Sequence, residues 1–272
     1  YHTFSIVASA VELPRITQVK PSDGVLTGDT TPDFIWKIAS STVTGYELMY
    51  SKDPTFAGVI PVQIASQATL TYTPAVALDT NSRYYWRIRS YVTTGSNTYQ
   101  SAWSSRRVFY TTINIDGINP SIEADLYEMT LRPTFTWNPV PDARAYQVQI
   151  STSETKWTSL YVQTTIKPNS DGELATSWRP ASDLRSGKTL YYRVLALGKY
   201  GWSLPSAVNV LVTPVPPTTP VVKTPLHKVI ISDYASGVVF SWSRPSSWST
   251  NPTESYEMQI ATSSNYTEGL ME

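Results

Sequence analysis

Histidine, the side chain most often used for acid–base catalysis and metal binding, occurs only twice, as His2 and His227. A Ser-His-Asp triad or a histidine-based metal site would have to be built on one of these two residues. Each lies near an expected domain boundary, where an exposed bystander is more common than a catalytic group. The segment from Gly201 to Pro205, GWSLP, begins like a nucleophile elbow, but Pro205 stands where the motif requires its last glycine. We therefore expect no enzyme activity, cofactor or metal site in this chain.

Acidic, basic and sulfur-bearing residues offer no site either. Carboxylates are scattered over turns and outward strand positions, and no glycine-rich loop for phosphate is present. The absence of cysteine excludes disulfides and thiolate metal sites. The 21 Lys and Arg residues balance 21 Asp and Glu residues, and no cluster of basic residues stands out in the sequence. We therefore expect no nucleic-acid partner and, since no apolar stretch approaches about 18 residues, no membrane insertion.

Tryptophan is the remaining candidate for ligand binding, with nine copies in the chain. Trp103 and Trp202 each precede a serine and a final strand, and we expect both to cover one end of a domain. Trp248 lies in a loop that is longer than its counterparts in the other repeats. Its indole could stack on a sugar ring, or it could fold back onto the loop's own prolines. Asn265 begins an Asn-Tyr-Thr sequon and is a candidate glycan acceptor.

One pattern recurs three times around these residues. A Phe-x-Trp pair occurs at spacings of 101 and 105 residues, and each pair is followed by a turn and an alternating run that starts with tyrosine. Alternation with a period of two predicts a strand with one buried face. The predicted core comprises each Phe-x-Trp pair and the tyrosine that follows it: Phe34, Trp36, Tyr46, Phe135, Trp137, Tyr146, Phe240, Trp242 and Tyr256.

Repeats of about a hundred residues with roughly seven short strands and frequent turns predict an all-β fold of tandem antiparallel β-sandwiches. The pattern resembles fibronectin type III domains, which are immunoglobulin-like sandwiches, especially those of bacterial cell-surface and secreted proteins. Phe-x-Trp then lies on strand B, Tyr-x-[Leu/Val/Met] on strand C and Tyr-Tyr-Trp-Arg-Ile on strand F. The resemblance also implies a corner in which the Tyr84 hydroxyl ties down the chain near Leu78. The second repeat has Leu184 but Leu190 instead of tyrosine, so its corner is missing or uses Tyr191.

The predicted domains are a first sandwich over residues 11–114, a second over 115–213 and an incomplete third over 221–272 with strands A to C only. Four prolines make the linker 214–220 a semi-rigid spacer, so we expect an elongated array. Residues 1–10 are the final strand of a preceding repeat or the leading strand of the first sandwich. The chain is then a segment of a longer array, or its leading strand completes a neighbour's third sandwich. The roughly 50 residues that the third sandwich lacks count against simple strand donation.

These features predict a structural or adhesive array at the cell surface or outside the cell. It would act as a spacer, stalk or filament component, with other copies of itself or neighbouring domains of a longer chain as partners. The alternative is a carbohydrate-binding or accessory module of a secreted polysaccharide-degrading enzyme. Surface glycans would then be the partners and Trp248 the platform.

Overall fold

The computed structural model describes residues 13, 15–39, 42–123, 130–215, 218–226, 228, 230–232, 235–245 and 256–261. Strands, turns and loops make up these residues, so the predicted all-β fold class is confirmed. Within the same ranges, no helix is long and apolar enough to cross a membrane. Both histidines, Trp248, Asn265 and the predicted strand at 1–10 lie outside the described residues.

The first sandwich consists of two sheets that enclose one core. One sheet has the strand order β1-β3-β6, and the other has the order β2-β9-β7-β4-β5, with β8 paired to β7. All pairings are antiparallel except that of β2 with β9, which is parallel. The strands are β1 (Ile16–Lys20), β2 (Val25–Thr27), β3 (Phe34–Ile38), β4 (Gly45–Ser51), β5 (Val62–Ile64), β6 (Thr71–Tyr72), β7 (Arg83–Thr94), β8 (Asn97–Gln100) and β9 (Arg107–Thr111).

Large aromatic side chains fill the first core. Phe34, Trp36 and Tyr46 have 1% of their surface exposed or less, as does Trp86 on β7. The rings of Trp36 and Tyr46 meet edge to face, with centroids 5.2 Å apart. Edge contacts of this kind add about 0.5–1.5 kcal/mol to the burial of the rings.

The second sandwich repeats this arrangement with sheets β10-β11-β14 and β13-β12-β15-β16. Phe135 and Tyr146 are buried completely or nearly so, and Trp137 is 4% exposed. The rings of Trp137 and Tyr146 lie 5.3 Å apart at 65°, which matches the pair in the first core. The strands are β10 (Ser121–Ile122), β11 (Phe135–Thr136), β12 (Ala145–Ser151), β13 (Val162–Ile166), β14 (Ser177–Trp178), β15 (Thr189–Leu197) and β16 (Asn209–Val212).

Of the first and second sandwiches, only the first has the tyrosine corner. The Tyr84 hydroxyl accepts a hydrogen bond of 2.9 Å from the backbone N–H of Asp79. At the equivalent place Leu190 is fully buried. Tyr191 does not replace it, because neighbouring strand residues point to opposite faces and Leu190 takes the inward one.

The third repeat forms a two-stranded antiparallel hairpin of β17 (Val221–Thr224) and β18 (Ser241–Ser243). Its rings of Trp242 and Tyr256 lie 5.3 Å apart, as in the two complete sandwiches. Phe240 and Tyr256 differ from the prediction, since they are 37% and 39% exposed instead of buried in a core. The physical reason is that no second sheet packs on this hairpin in the described part of the chain.

The chain divides into two compact units. Unit 1 comprises Tyr1–Ser121, Phe135–Trp178 and Tyr191–Asn209, and unit 2 comprises Ile122–Thr134, Arg179–Leu190 and Val210–Glu272. Unit 1 therefore holds the first sandwich together with most strands of the second. The domain boundaries predicted from the sequence stay predictions.

Candidate interaction surfaces

Within unit 1, a tight loop of the second sandwich contacts the end of the first sandwich. The loop is closed by a hydrogen bond of 2.9 Å from the N–H of Gly198 to the carbonyl of Gly201. Asn81 accepts a bond of 2.7 Å at its side-chain oxygen from the backbone N–H of Lys199. The Tyr110 and Tyr200 rings lie 4.8 Å apart at 30°. We call this set of contacts the joint.

Glycines allow the two surfaces of the joint to approach closely. A Cβ atom on Gly198 would lie 2.7 Å from the side-chain oxygen of Asn81 and 2.9 Å from Cβ of Ile113. A Cβ atom on Gly201 would lie 2.5 Å from Cδ2 of Leu26. Any larger residue at either position would therefore displace the facing side chains. Asn81 itself has a φ of 51°, a left-handed conformation that asparagine tolerates better than most residues.

The connection between the two sandwiches is also buried and hydrogen-bonded. Ile113 and Ile118 are 5% and 4% exposed. Asn138 of the second sandwich donates two hydrogen bonds to this connection. Its side-chain amide donates to the carbonyl of Gly117 at 2.8 Å, and its backbone N–H donates to the carbonyl of Ile118 at 2.7 Å. A linker whose apolar side chains and carbonyls are satisfied in this way is not a free tether.

Two serines hold the segment before β9 against strand β7. Ser101 and Ser104 each donate their backbone N–H to β7, to the carbonyls of Ser90 and Ile88 at 2.9 and 2.8 Å. Each hydroxyl oxygen accepts the N–H of the same strand residue, at 3.0 Å in both cases. Three residues of this segment therefore cover two residues of the strand, as repeated bulges would. We call each such pair of bonds a serine latch.

The second sandwich has the same two latches. Ser203 exchanges both bonds with Ala196, and Ser206 does so with Val194. The oxygen of Ser203 thus accepts a backbone N–H, and its hydroxyl donates to the carbonyl of Leu204 at 2.6 Å. These bonds assign a structural role to the serine of the GWSLP segment.

The latches correct the predicted equivalence of Trp103 and Trp202. Trp103 precedes the second serine of its pair, whereas Trp202 precedes the first serine of its own. The structural counterpart of Trp103 is therefore Pro205. Trp103 also does not cover a sandwich end, because its ring lies against arginines on the outer face of strand β7.

Arginine and aromatic side chains alternate on this outer face. Residues 84, 86 and 88 of β7 point into the core, which leaves the odd-numbered residues on the outside. The guanidinium of Arg87 lies between the rings of Phe56 and Trp103, 4.4 and 4.6 Å from their centroids. Arg89 lies 4.3 Å from the same Trp103 ring.

A second stack continues the row. The guanidinium groups of Arg83 and Arg106 lie 5.3 and 5.0 Å from the Tyr85 ring. Arg106 donates to the carbonyl of Pro54 at 2.8 Å, beside the loop that carries Phe56. We call Arg83, Arg87, Arg89 and Arg106 the arginine strip. Arg106 joins the other three arginines only in the folded sheet.

Glu47 is the only carboxylate that pairs with the strip among the described residues. Its carboxylate accepts bonds from Gln63 at 2.7 Å, from Gln100 at 3.0 Å and from Nε of Arg89 at 2.5 Å. Burial tends to raise the pKa of Glu47, but these hydrogen bonds and the Arg89 charge lower it overall. Burial and the charge of Arg89 both lower the pKa of Arg87, which still stays charged at neutral pH.

The second sandwich carries one arginine at the corresponding place. Arg193 lies 3.9 Å from the Trp157 ring and donates from Nε to the side chain of Gln149 at 2.8 Å. Burial lowers its pKa. Its neighbours on the outer face are Tyr191 and Leu195, so this face lacks the arginine strip of the first sandwich.

Trp248 and Asn265 lie outside the described residues, so the glycan platform and the glycosylation site stay predictions. The joint and the arginine strip were missed. The strip had a readable signal, since arginine occupies outward positions 83, 87 and 89 of a strand whose inward positions are apolar. The joint had no readable signal, because no local sequence pattern predicts a contact between distant loops.

No protein-family model and no curated protein matches this sequence. Similar solved structures include a two fibronectin type III domain segment from chicken tenascin, with a TM-score of 0.38 and 16% identity over 74% of this chain and 99% of that one. The FN1–FN3 domains of chicken CNTN1 are similar with a TM-score of 0.35 and 13% identity, covering 75% of this chain and 67% of that one. The chicken interferon gamma receptor alpha chain is similar with a TM-score of 0.37 and 12% identity, covering 76% of this chain and 100% of that one. The fold assignment rests on the sheets and cores described above.

Proposed function

We propose that this protein is a structural and adhesive array of fibronectin type III-like sandwiches at a bacterial cell surface or outside the cell. The joint in unit 1 is the observation that carries the proposal. A spacer must hold its neighbouring domains in one orientation, and the joint supplies the contacts for that. Two glycines, Asn81 and the tilted pair of tyrosine rings interlock there, and the connection itself is buried.

The strength of the joint follows from its parts. The bond from Lys199 to Asn81 contributes about 0.5–1.5 kcal/mol, and the contact of Tyr110 with Tyr200 contributes a similar amount. Together these contributions come to about 1–3 kcal/mol, about two to five times the thermal energy of about 0.6 kcal/mol, so the joint is expected to favour a single orientation. Flexible linkers, by contrast, leave two domains free to rotate.

Distances between spin labels test the joint directly. The chain has no cysteine, so Ala75→Cys and Ser170→Cys place one label on an exposed residue of each sandwich without competing sites. We expect a narrow distance distribution that broadens in Tyr200→Ala. The matched control is Tyr99→Ala, since Tyr99 is 57% exposed on the β7–β8 hairpin. A broad distribution in the unaltered chain, unaffected by Tyr200→Ala, would overturn the spacer proposal.

Location requires a separate test. Surface biotinylation of intact cells that produce the protein should label it, while a cytosolic marker stays unlabelled. Labelling only after the cells are broken would contradict a role outside the cell.

A further inference from the structure

We propose that the arginine strip of the first sandwich binds an extended anionic polysaccharide that carries carboxylate or sulfate groups. This goes beyond the spacer role and does not rest on it. The strip joins three arginines of strand β7 with Arg106, and positions 83 to 89 span about 20 Å along the strand at roughly 3.3 Å per residue. A row of cations along one strand suits a linear polymer with repeated anionic groups.

The charge of the strip is mostly uncompensated. Glu47 neutralises Arg89, but Arg83, Arg87 and Arg106 have no carboxylate partner among the described residues. The nearby carboxylate of Asp53 is engaged by Thr55 and by the N–H of Ala57 within its own turn. The chain as a whole has no net charge, so its attraction for a polyanion is local to this face.

Stacking prepares the guanidinium groups for anions. An aromatic ring covers the face of a guanidinium and leaves the N–H donors at its edge, which match the oxygens of a carboxylate or sulfate. Arg87 is held between two rings, and its Nη2 donates to Sδ of Met49 at 3.3 Å. Since the rings already fix these side chains, less conformational entropy is lost when an anion binds.

The surroundings favour a polysaccharide over a protein partner. Protein interfaces are anchored by apolar and aromatic side chains that enter pockets. Here the arginines cover the rings, and Phe56 and Tyr85 are only 5% and 9% exposed. The side chain of Ser105 remains exposed beside the strip and offers a hydroxyl group to a sugar.

Affinity electrophoresis of the full chain tests the proposal with four probes. Polygalacturonate carries carboxylates, heparin carries sulfates, dextran is neutral, and poly-L-glutamate is an acidic polypeptide. We expect retardation by polygalacturonate or heparin and none by dextran, and the pattern shows which anionic group is preferred. Retardation should weaken steadily as salt is added.

Two double variants decide whether the strip is responsible. Arg83→Gln/Arg106→Gln removes two exposed arginines and should weaken binding about tenfold, from about 0.7 kcal/mol for each contact. Arg144→Gln/Arg179→Gln removes the same charge from exposed positions of the second sandwich and should leave binding unchanged. Melting of each variant verifies that the fold is intact.

Three outcomes would overturn the proposal. The first is no retardation by either anionic polysaccharide at low salt. The second is an equal loss of binding in both double variants, which would indicate an effect of net charge alone. The third is binding to poly-L-glutamate as tight as to polygalacturonate, which would assign the strip to acidic proteins instead. Each of these results leaves the label-distance test of the joint unaffected.

Discussion

Removing the charge of Glu47 should destabilise the first sandwich more than its place near the surface suggests. Glu47→Gln keeps the shape of the side chain and loses the ion pair with Arg89. The two side chains are only 7% and 20% exposed, so water screens them poorly. Arg89 would be left near Arg87, against the same Trp103 ring, with no counter-charge.

The magnitude lies between two known limits. An exposed ion pair contributes about 0–1 kcal/mol, whereas breaking a buried one costs about 3–5 kcal/mol. The pair in the first sandwich is mostly buried but open at one side, so we expect Glu47→Gln to cost about 2–3 kcal/mol. The second sandwich offers a matched control in Gln147, which occupies the equivalent place without charge. Gln147→Ala loses neutral hydrogen bonds and should cost about 1 kcal/mol.

Hydrogen exchange followed by mass spectrometry is the suitable assay, because it reports the free energy of opening for each sandwich separately. Peptides from β4 and β7 should lose protection in Glu47→Gln, while those from β12 keep it. A loss below about 0.5 kcal/mol would refute the reasoning, since it would place the pair among solvated surface contacts.

Acid provides a second test of the same network. Folding lowers the pKa of the Glu47 carboxyl. The contribution of its charge to stability is therefore fully present above the pKa that this carboxyl has in the unfolded chain. That contribution is lost as the pH falls through the folded value. The unaltered chain and Glu47→Gln should therefore differ at neutral pH and converge in acid. Parallel curves over the whole range would contradict this assignment.

Three further predictions concern the cores. Tyr84→Phe should cost the first sandwich about 0.5–1.5 kcal/mol, since the N–H of Asp79 loses a part-buried hydrogen bond, and chemical denaturation would measure it. Gly45→Ala should cost about 1–3 kcal/mol or more, because the new Cβ would lie 2.2 Å from the backbone oxygen of Ile64. At the equivalent place in the second sandwich, Ala145→Gly should cost about 1 kcal/mol. Equal losses of stability in the two variants would contradict this geometry. Trp137→Ala should cost about 3–5 kcal/mol, and an unchanged melting of the second sandwich would remove Trp137 from its core.

Periodicity accounts for what the sequence revealed about the fold. The alternating runs after each Phe-x-Trp pair place Tyr46 and Tyr146 on inward faces, and both residues are buried there. The pattern works because a half-buried strand has a period of two whatever lies opposite to it. It was insufficient in the third repeat, where Phe240 and Tyr256 stay exposed. Burial there depends on a second sheet, which a local pattern cannot supply.

Hairpin length explains the error in the tryptophan alignment. Eleven positions separate Ser90 from its latch at Ser101, whereas seven separate Ala196 from Ser203. The longer β7–β8 hairpin shifts the alignment of the segments that follow. Matching Trp-Ser with Trp-Ser is natural in a sequence, but the backbone bonds match Ser101 with Ser203. Only the three-residue spacing of the serines, present in both segments, would have given the right register.

The serine latches have a consequence for how sandwiches in tandem avoid misfolding together. Neighbouring domains of similar sequence stay close at high local concentration, and strand exchange between them is a characteristic failure. An incoming strand needs a row of free groups with a period of two. Along residues 101–106 the bonds to β7 recur at every third residue instead. The reason is that a single serine in each latch binds both the backbone N–H and the backbone C=O of one β7 residue. The same device closes the second sandwich at Ser203 and Ser206. We therefore expect these hydroxyl groups to hinder strand exchange between the two sandwiches.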